Sequence, residues 1–137
     1  MDIFWNMTPA QAAALNIGLL IVLMLALKVY VGNRRAKHKV PSGDVTHAEF
    51  SRATRVQLNA VEDVPVLMVG IAALAMLSMP SWYIHMAGWM LLAARIAHAF
   101  GLASSSGQSL GRFAGTIGTL LVYLAVAGAL LVHAFGP

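Results

Sequence analysis

Read from the N-terminus, the chain alternates long apolar runs with short polar breaks, and the length of the runs decides the fold. A helix needs about 20 apolar residues to cross the hydrocarbon core of a bilayer. The first run, Met7 to Leu27, carries no charge and ends at Lys28, whose stem can snorkel; a helix is predicted over about residues 7–32. The stretch Asn33-Arg34-Arg35-Ala36-Lys37-His38-Lys39, followed by Pro41-Ser42-Gly43-Asp44, reads as a loop by composition. A second helix is predicted over about 48–78, polar in its first third and uncharged from Val64 to Met79. Met79-Pro80-Ser81 makes a tight turn into a third helix over about 82–102, which contains Arg95 and His98. Ser104-Ser105-Ser106-Gly107-Gln108-Ser109 is the next loop, and the fourth helix, about 110–135, has one charge, Arg112, near its start. No repeat or low-complexity segment interrupts this pattern. The predicted fold class is an all-α membrane protein, a four-transmembrane-helix bundle formed by residues 1–137 as one domain.

Composition excludes a soluble alternative. Of 137 residues 59% are hydrophobic and only 10% charged, against roughly 45–50% and about 25% in a globular domain. So few charges cannot coat a soluble surface, and a small chain buries too little of its area to hide the rest. The same apolar content excludes intrinsic disorder. The net charge is +4, but the basic residues flank apolar runs, so membrane orientation explains them and nucleic acid is not an expected partner. There is no cysteine, which removes disulfides, thiolate metal sites and a cysteine nucleophile; thiol chemistry would need a thiol brought in by a ligand. The segment from Met1 to Gln11 lacks the basic flank of a cleaved signal peptide, so the first run is expected to remain in the mature protein.

The loop after the first span holds Arg34, Arg35, Lys37 and Lys39, whereas the turn at Pro80 and both termini hold no Lys or Arg. By the positive-inside rule the first and third loops are expected in the cytoplasm and both termini outside. The expected location is a bacterial inner membrane. Trp5, Trp82, Tyr83 and Trp89 fit an aromatic belt on the far side.

Ionisable residues inside spans are costly and mark function. On the second helix Arg52, Arg55, Asn59 and Glu62 follow one another at intervals of three, four and three, which lays them along one face. Asp63 falls on a neighbouring face, and Gln57 points away from the row, towards a different neighbour such as another subunit. Arg95 and His98, at i and i+3 on the antiparallel third helix, reach about the depth of Glu62 from the same end, with Arg95 roughly 10 Å inside it. Arg112 opens the fourth helix there, and Arg34 and Arg35 close the first. These groups predict one polar cavity opening inward. Arginines outnumber carboxylates, so the field favours an anion, while Glu62 and Asp63 could hold an amino group. A zwitterionic, carboxylate-bearing small molecule fits. No metal is expected, because no His, Asp or Glu cluster has ligand spacing, and neither a hydrolase signature nor a phosphate loop is present.

Three stretches resemble the MAPEG family, the membrane-associated proteins of eicosanoid and glutathione metabolism. Arg34-Arg35-Ala36 with Val40-Pro41 resembles the basic segment after the family's first helix. Phe50-Ser51-Arg52-Ala53-Thr54-Arg55-Val56-Gln57-Leu58-Asn59-Ala60-Val61-Glu62-Asp63-Val64-Pro65 resembles its signature, in which Arg, Asn and Glu recur before a proline. Ala94-Arg95-Ile96-Ala97-His98 and Arg112 resemble the third helix and the start of the fourth. The resemblance covers nearly the whole chain. It implies a homotrimer with glutathione as co-substrate between subunits near the cytoplasmic side. Arg55, with Arg34 or Arg35 of the adjacent protomer, would meet the tripeptide's carboxylates. Asn59 and Glu62 would hold its backbone and amino end, Gln57 would reach from the neighbour, and Arg95 and His98 would belong to the site. Arg112 would sit by the sulfur as the catalytic group and favour the thiolate. The implied function is a glutathione transferase or peroxidase acting on a lipophilic electrophile. Departures are also plain: Asp63 stands where better-studied members carry a tyrosine, as does Leu102, and Thr116 or a neighbour stands where some have another.

Each candidate has a plainer reading beside it. Arg34, Arg35, Lys37 and Lys39 read first as topology determinants and only then as ligand contacts. Arg95 could pair with Glu62 or Asp63 to hold the bundle, and His98 could bond between helices. His85 and His133 read as interfacial. Gly111-x-x-x-Gly115 and Ala114-x-x-x-Gly118 speak for close helix approach. The alternative function is a non-catalytic protein of this fold that binds an anionic membrane lipid or a partner. A small four-helix drug exporter is weaker, because Met7–Leu27 lacks a carboxylate.

Overall fold

The computed structural model describes residues 6–41, 44, 46–104, 107 and 109–136. It contains four helices, α1 (Pro9–His38), α2 (Ala48–Met76), α3 (Ser81–Ser104) and α4 (Leu110–Phe135). All four are long and apolar enough to cross a membrane.

The helix ends follow from local chemistry. Thr8 caps α1: its hydroxyl accepts from the Gln11 N–H, Gln11 answers on the Thr8 N–H, and Pro9 occupies the first turn where its missing N–H costs nothing. Ser109 caps α4 by accepting from the Arg112 N–H. α2 ends with Ser78 at φ 58° and a Met79 N–H donating to the Leu74 carbonyl, a left-handed stop ahead of Pro80.

The basic stretch expected to be a loop is helical. α1 runs on through Arg34 and Arg35 to His38, and Lys39 at φ 51° ends it. Nothing between Asn33 and Lys39 breaks a helix, and basic residues suit its C-terminal dipole. Side-chain contacts hold the extension. Arg34 Nη1 donates to Glu49 Oε2 at 3.1 Å, His38 Nε2 lies 2.8 Å from the same oxygen, and the Arg35 guanidinium stacks on Phe50. Along the connection to α2, the Thr46 hydroxyl and N–H bond to Asp44 and hold its carboxyl below the usual carboxylate range. Ser42, Gly43, Ser105, Ser106 and Gln108 of the two predicted loops lie outside the described residues, as does Trp5 of the predicted belt.

α2 and α3 form the central pair. α1 packs on both, α4 packs on the opposite side of both, and α1 and α4 do not meet among the described residues. The core is aliphatic, with Leu20, Leu67, Ile71, Leu74, Ile84, Leu91 and Val122 buried. The outward faces are equally apolar: Val22, Leu25 and Val29 on α1, Val66 and Val69 on α2, and Leu120, Leu121 and Leu124 on α4 are exposed. So much exposed apolar surface suits lipid or a further protein chain rather than water. α3 and α4 approach closest. A Cβ on Gly111 would lie 2.8 Å from the Ala97 carbonyl oxygen, and one on Gly115 would lie 2.6 Å from His98 Cβ, which is why the small-residue motif sits there.

One polar contact lies towards the other end of the bundle. Asn16 on α1 donates from Nδ2 to the Ala12 carbonyl and to His85 Nδ1 on α3, at 2.8 and 3.1 Å. Both side chains are buried. His85 is therefore a helix–helix residue and not interfacial as expected, whereas His133 is exposed. Trp82 and Trp89 are exposed, and Tyr83 donates to the Ala125 carbonyl of α4.

Candidate functional site

α2, α3 and α4 enclose a cavity of about 130 Å³, lined by Asn59, Asp63, Arg95, His98, Thr116, Thr119, Leu120 and Tyr123. Arg95 is its organiser. The residue is 3% exposed, and its Nη1 donates to Asp63 Oδ2 at 2.7 Å and to the Asn59 carbonyl at 3.2 Å, while Nη2 donates to the Gly115 carbonyl at 3.3 Å. One guanidinium thus ties three helices together. Its Nε has no hydrogen-bond partner among the described residues. Tyr123 completes the cluster by donating to Asp63 Oδ1 at 3.3 Å. Of the two carboxylates considered for Arg95, the partner is Asp63, because Asp63 lies on the side of α2 nearer the core and Glu62 points outward and is exposed.

A second chain of bonds fixes the imidazole. Thr116 Oγ1 gives its only proton to the Arg112 carbonyl at 2.9 Å, so at its 3.3 Å contact with His98 Nδ1 it must accept. In its neutral form His98 therefore carries its proton on Nδ1, leaving Nε2 as the basic nitrogen. Asn59 donates one N–H to the Arg55 carbonyl at 2.8 Å, leaving its amide oxygen and second N–H unengaged among the described residues.

The remaining sequence candidates stand elsewhere in the chain. Arg55 and Glu62 lie exposed on the outer face of α2, and Gln57 is half-buried on another side. Arg34 and Arg35 sit at the end of α1, against Glu49 and Phe50. Arg112 does not line the cavity and donates from Nη1 to the Gly107 carbonyl at 2.7 Å. The chain therefore joins Asn59, Arg95 and His98 in one cavity and leaves the arginines expected to meet an anion around its outside. Among the described residues no group of three or more His, Asp or Glu side chains could hold a metal ion.

Thr119 and Tyr123 were not among the sequence candidates. A signal existed: Arg112, Thr116, Thr119 and Tyr123 follow at intervals of four, three and four, a polar stripe along one side of α4.

Comparison with known proteins gives a consistent family. A profile of the MAPEG family matches residues 13–132. The inner membrane protein YecN of Escherichia coli K12 is 32% identical over 91 residues, which cover 66% of this chain and 70% of that protein. The uncharacterised protein sll1147 of Synechocystis is 32% identical over 119 residues, 86% of this chain and 85% of its own.

Proposed function

The chain belongs to the MAPEG family, and from that membership we propose that it is a glutathione-dependent transferase or peroxidase that works as a homotrimer. It is an integral multi-pass membrane protein. The basic end of α1 faces the cytoplasm and both termini lie outside, as the positive-inside rule requires.

The observation that carries the reading is the open face of α2. Arg55, Asn59 and Glu62 lie within one side of this helix, and Arg55 and Glu62 are exposed, together with Val66 and Val69 in the same direction. A cation, an amide and a carboxylate at lipid depth are too costly to leave facing hydrocarbon. A second copy with a bound zwitterion between the two satisfies them. The tripeptide's carboxylates then meet Arg55 and Arg35 of the adjacent protomer, Arg34 being engaged by Glu49 in its own chain. Glu62 takes the amino group, Asn59 offers its unengaged amide atoms, and Gln57 reaches across from the neighbour. His98 lines the inner wall, with Arg95 behind it. Arg112, freed from the Gly107 carbonyl by a small rotation, sets its charge beside the sulfur and favours the thiolate. The thiolate attacks an electrophilic carbon delivered from the bilayer, a sulfur–carbon bond forms, and the leaving group departs with its electron pair.

The test uses purified full-length protein in detergent with millimolar glutathione, following thiolate absorbance and conjugation of an aryl halide. Arg112→Ala is expected to lose the thiolate signal while retaining binding, and Glu62→Ala to lose binding. Absence of glutathione binding would overturn the proposal in favour of a non-catalytic protein of this fold.

A further inference from the structure

The cytoplasmic ends of α1, α2 and α3 carry two cavities that the proposed thiol site does not use. The first is a polar cleft of about 190 Å³ lined by Tyr30, Arg34, Glu49, Arg52 and Ala103. The second, of about 240 Å³, is an apolar groove whose walls include Leu23, Leu27, Ile96, Ala99 and Phe100, again with Tyr30 and Ala103. Because two residues line both, the polar cleft opens directly onto the head of the groove. We infer that this composite pocket binds one anionic phospholipid of the inner leaflet, its phosphodiester between Arg34 and Arg52 and one acyl chain along the groove.

The shape matches an acyl chain. The α1 wall runs from Leu23 to Tyr30 and the antiparallel α3 wall from Ile96 to Ala103, each about 10 Å of helix at 1.5 Å per residue. The groove therefore runs along the helices, the direction of a lipid tail. Tyr30 stands at the junction with an apolar body and a polar tip, the habit of a side chain at a membrane interface.

The charge selects the head. Arg34 and Arg52 bring two cations and Glu49 one carboxylate. That carboxylate is already held by Arg34 at 3.1 Å and His38 at 2.8 Å, so it offers little to an added amine. Arg52 has no hydrogen-bond or ion-pair partner among the described residues, so its charge is uncommitted. The Arg34 guanidinium lies over the Tyr30 ring, 5.2 Å from its centroid, at the boundary between cleft and groove. Arg35, Lys37 and Lys39 on the same helix end add to a positive field at the depth where anionic headgroups lie. A phosphate with no ammonium beside it fits this balance better than a zwitterionic head.

The probes are phosphatidylglycerol, phosphatidylethanolamine of the same chains, and free glycerol phosphate. Retention by the full-length protein is read by native mass spectrometry after detergent exchange. One phosphatidylglycerol per protomer is expected, held about tenfold more tightly than phosphatidylethanolamine, whose ammonium adds a like charge beside Arg34 and Arg52. Arg52→Gln should abolish that preference and Arg52→Lys restore part of it, both at unchanged thermal stability. Ala99→Phe, which fills the groove, should lower retention of either lipid. Equal retention of the two lipids by the unaltered protein, an intact preference in Arg52→Gln, or glycerol phosphate binding as tightly as phosphatidylglycerol would each overturn the inference. Glutathione binding is measured separately, so the fate of the thiol site does not decide this one.

Discussion

Removing the charge of Asp63 should destabilise the protein more than any comparable change on the outer surface of the bundle. Asp63→Asn keeps the shape but leaves Arg95, 3% exposed, without a counter-charge. Breaking a buried pair from one side costs about 3–5 kcal/mol. The lower end applies, because the Asp63 side chain is 31% exposed and feels some screening. A loss of about 3 kcal/mol is roughly 150-fold in the unfolding equilibrium. The double variant Asp63→Leu with Arg95→Met removes both charges together, and such replacements are often neutral or stabilising. It should recover most of the loss, giving a coupling of about 2–3 kcal/mol in a double-mutant cycle. Denaturant unfolding in mixed micelles, followed by tryptophan fluorescence, measures the parent, Asp63→Asn, the double variant and its two component singles, Asp63→Leu and Arg95→Met. If Asp63→Asn unfolds within about 0.5 kcal/mol of the parent, or the two single losses simply add, Arg95 is not held as its 2.7 Å bond to Asp63 implies.

Three further changes test the packing, each by the same unfolding measurement. Gly115→Leu sets a side chain against the Ala94 carbonyl and His98; overpacking should cost about 1–3 kcal/mol, and a neutral result would mean that α3 and α4 are further apart. Asn16→Leu removes the buried Nδ2 donation to His85 Nδ1 and should cost about 1–3 kcal/mol, so no loss would show that the pair is not buried as described. Ser78→Gly relieves a side chain at φ 58° and should stabilise by about 0.5–1 kcal/mol; destabilisation would refute the left-handed stop.

The number of helices and most of their limits were legible because a bilayer demands long apolar runs, and this chain has four. The extension of α1 was not, since polar composition between Asn33 and Lys39 argues for a loop, while the contacts that stabilise it, Glu49 and Phe50, come from another helix. Spacing on α2 laid Arg55, Asn59 and Glu62 along one face; in the bundle Arg55 and Glu62 are exposed there and Asn59 also borders the inner cavity. Spacing could not choose Asp63 over Glu62 for Arg95, because one residue is a 100° turn and only the packing of α2 on α3 and α4 decides which carboxylate faces inward. The Asn16–His85 contact joins residues 69 positions apart. Neither lies in a polar pattern, so nothing local announced it. The division of the arginines between an inner cavity and an outer face has the same origin: depth is read along one helix, but facing requires its neighbours.

That division changes what Arg95 can do in the proposed reaction. Its charge is cancelled by Asp63, and Tyr123 occupies the other carboxylate oxygen; the cavity is close to neutral and offers little attraction to an anion. In the proposed reaction the attraction would come from Arg55, Arg35 and Arg112 outside it. Arg95 instead grips the Asn59 carbonyl at 3.2 Å, and so sets the azimuth of the α2 turn that presents Arg55, Asn59 and Glu62. In the proposed reaction it would act as a positioning residue. The variant carrying Asp63→Leu and Arg95→Met separates the two roles, because it keeps the fold while releasing that carbonyl. Glutathione affinity should fall about tenfold, the worth of one charged hydrogen bond at its lower limit. Its dependence on ionic strength should stay parallel to that of the parent, since no charge facing the ligand has been lost. Arg55→Gln should flatten that dependence. If the double variant flattens it as well, Arg95 touches the anion itself and the cavity, not the outer face of α2, is where the tripeptide's carboxylates lie.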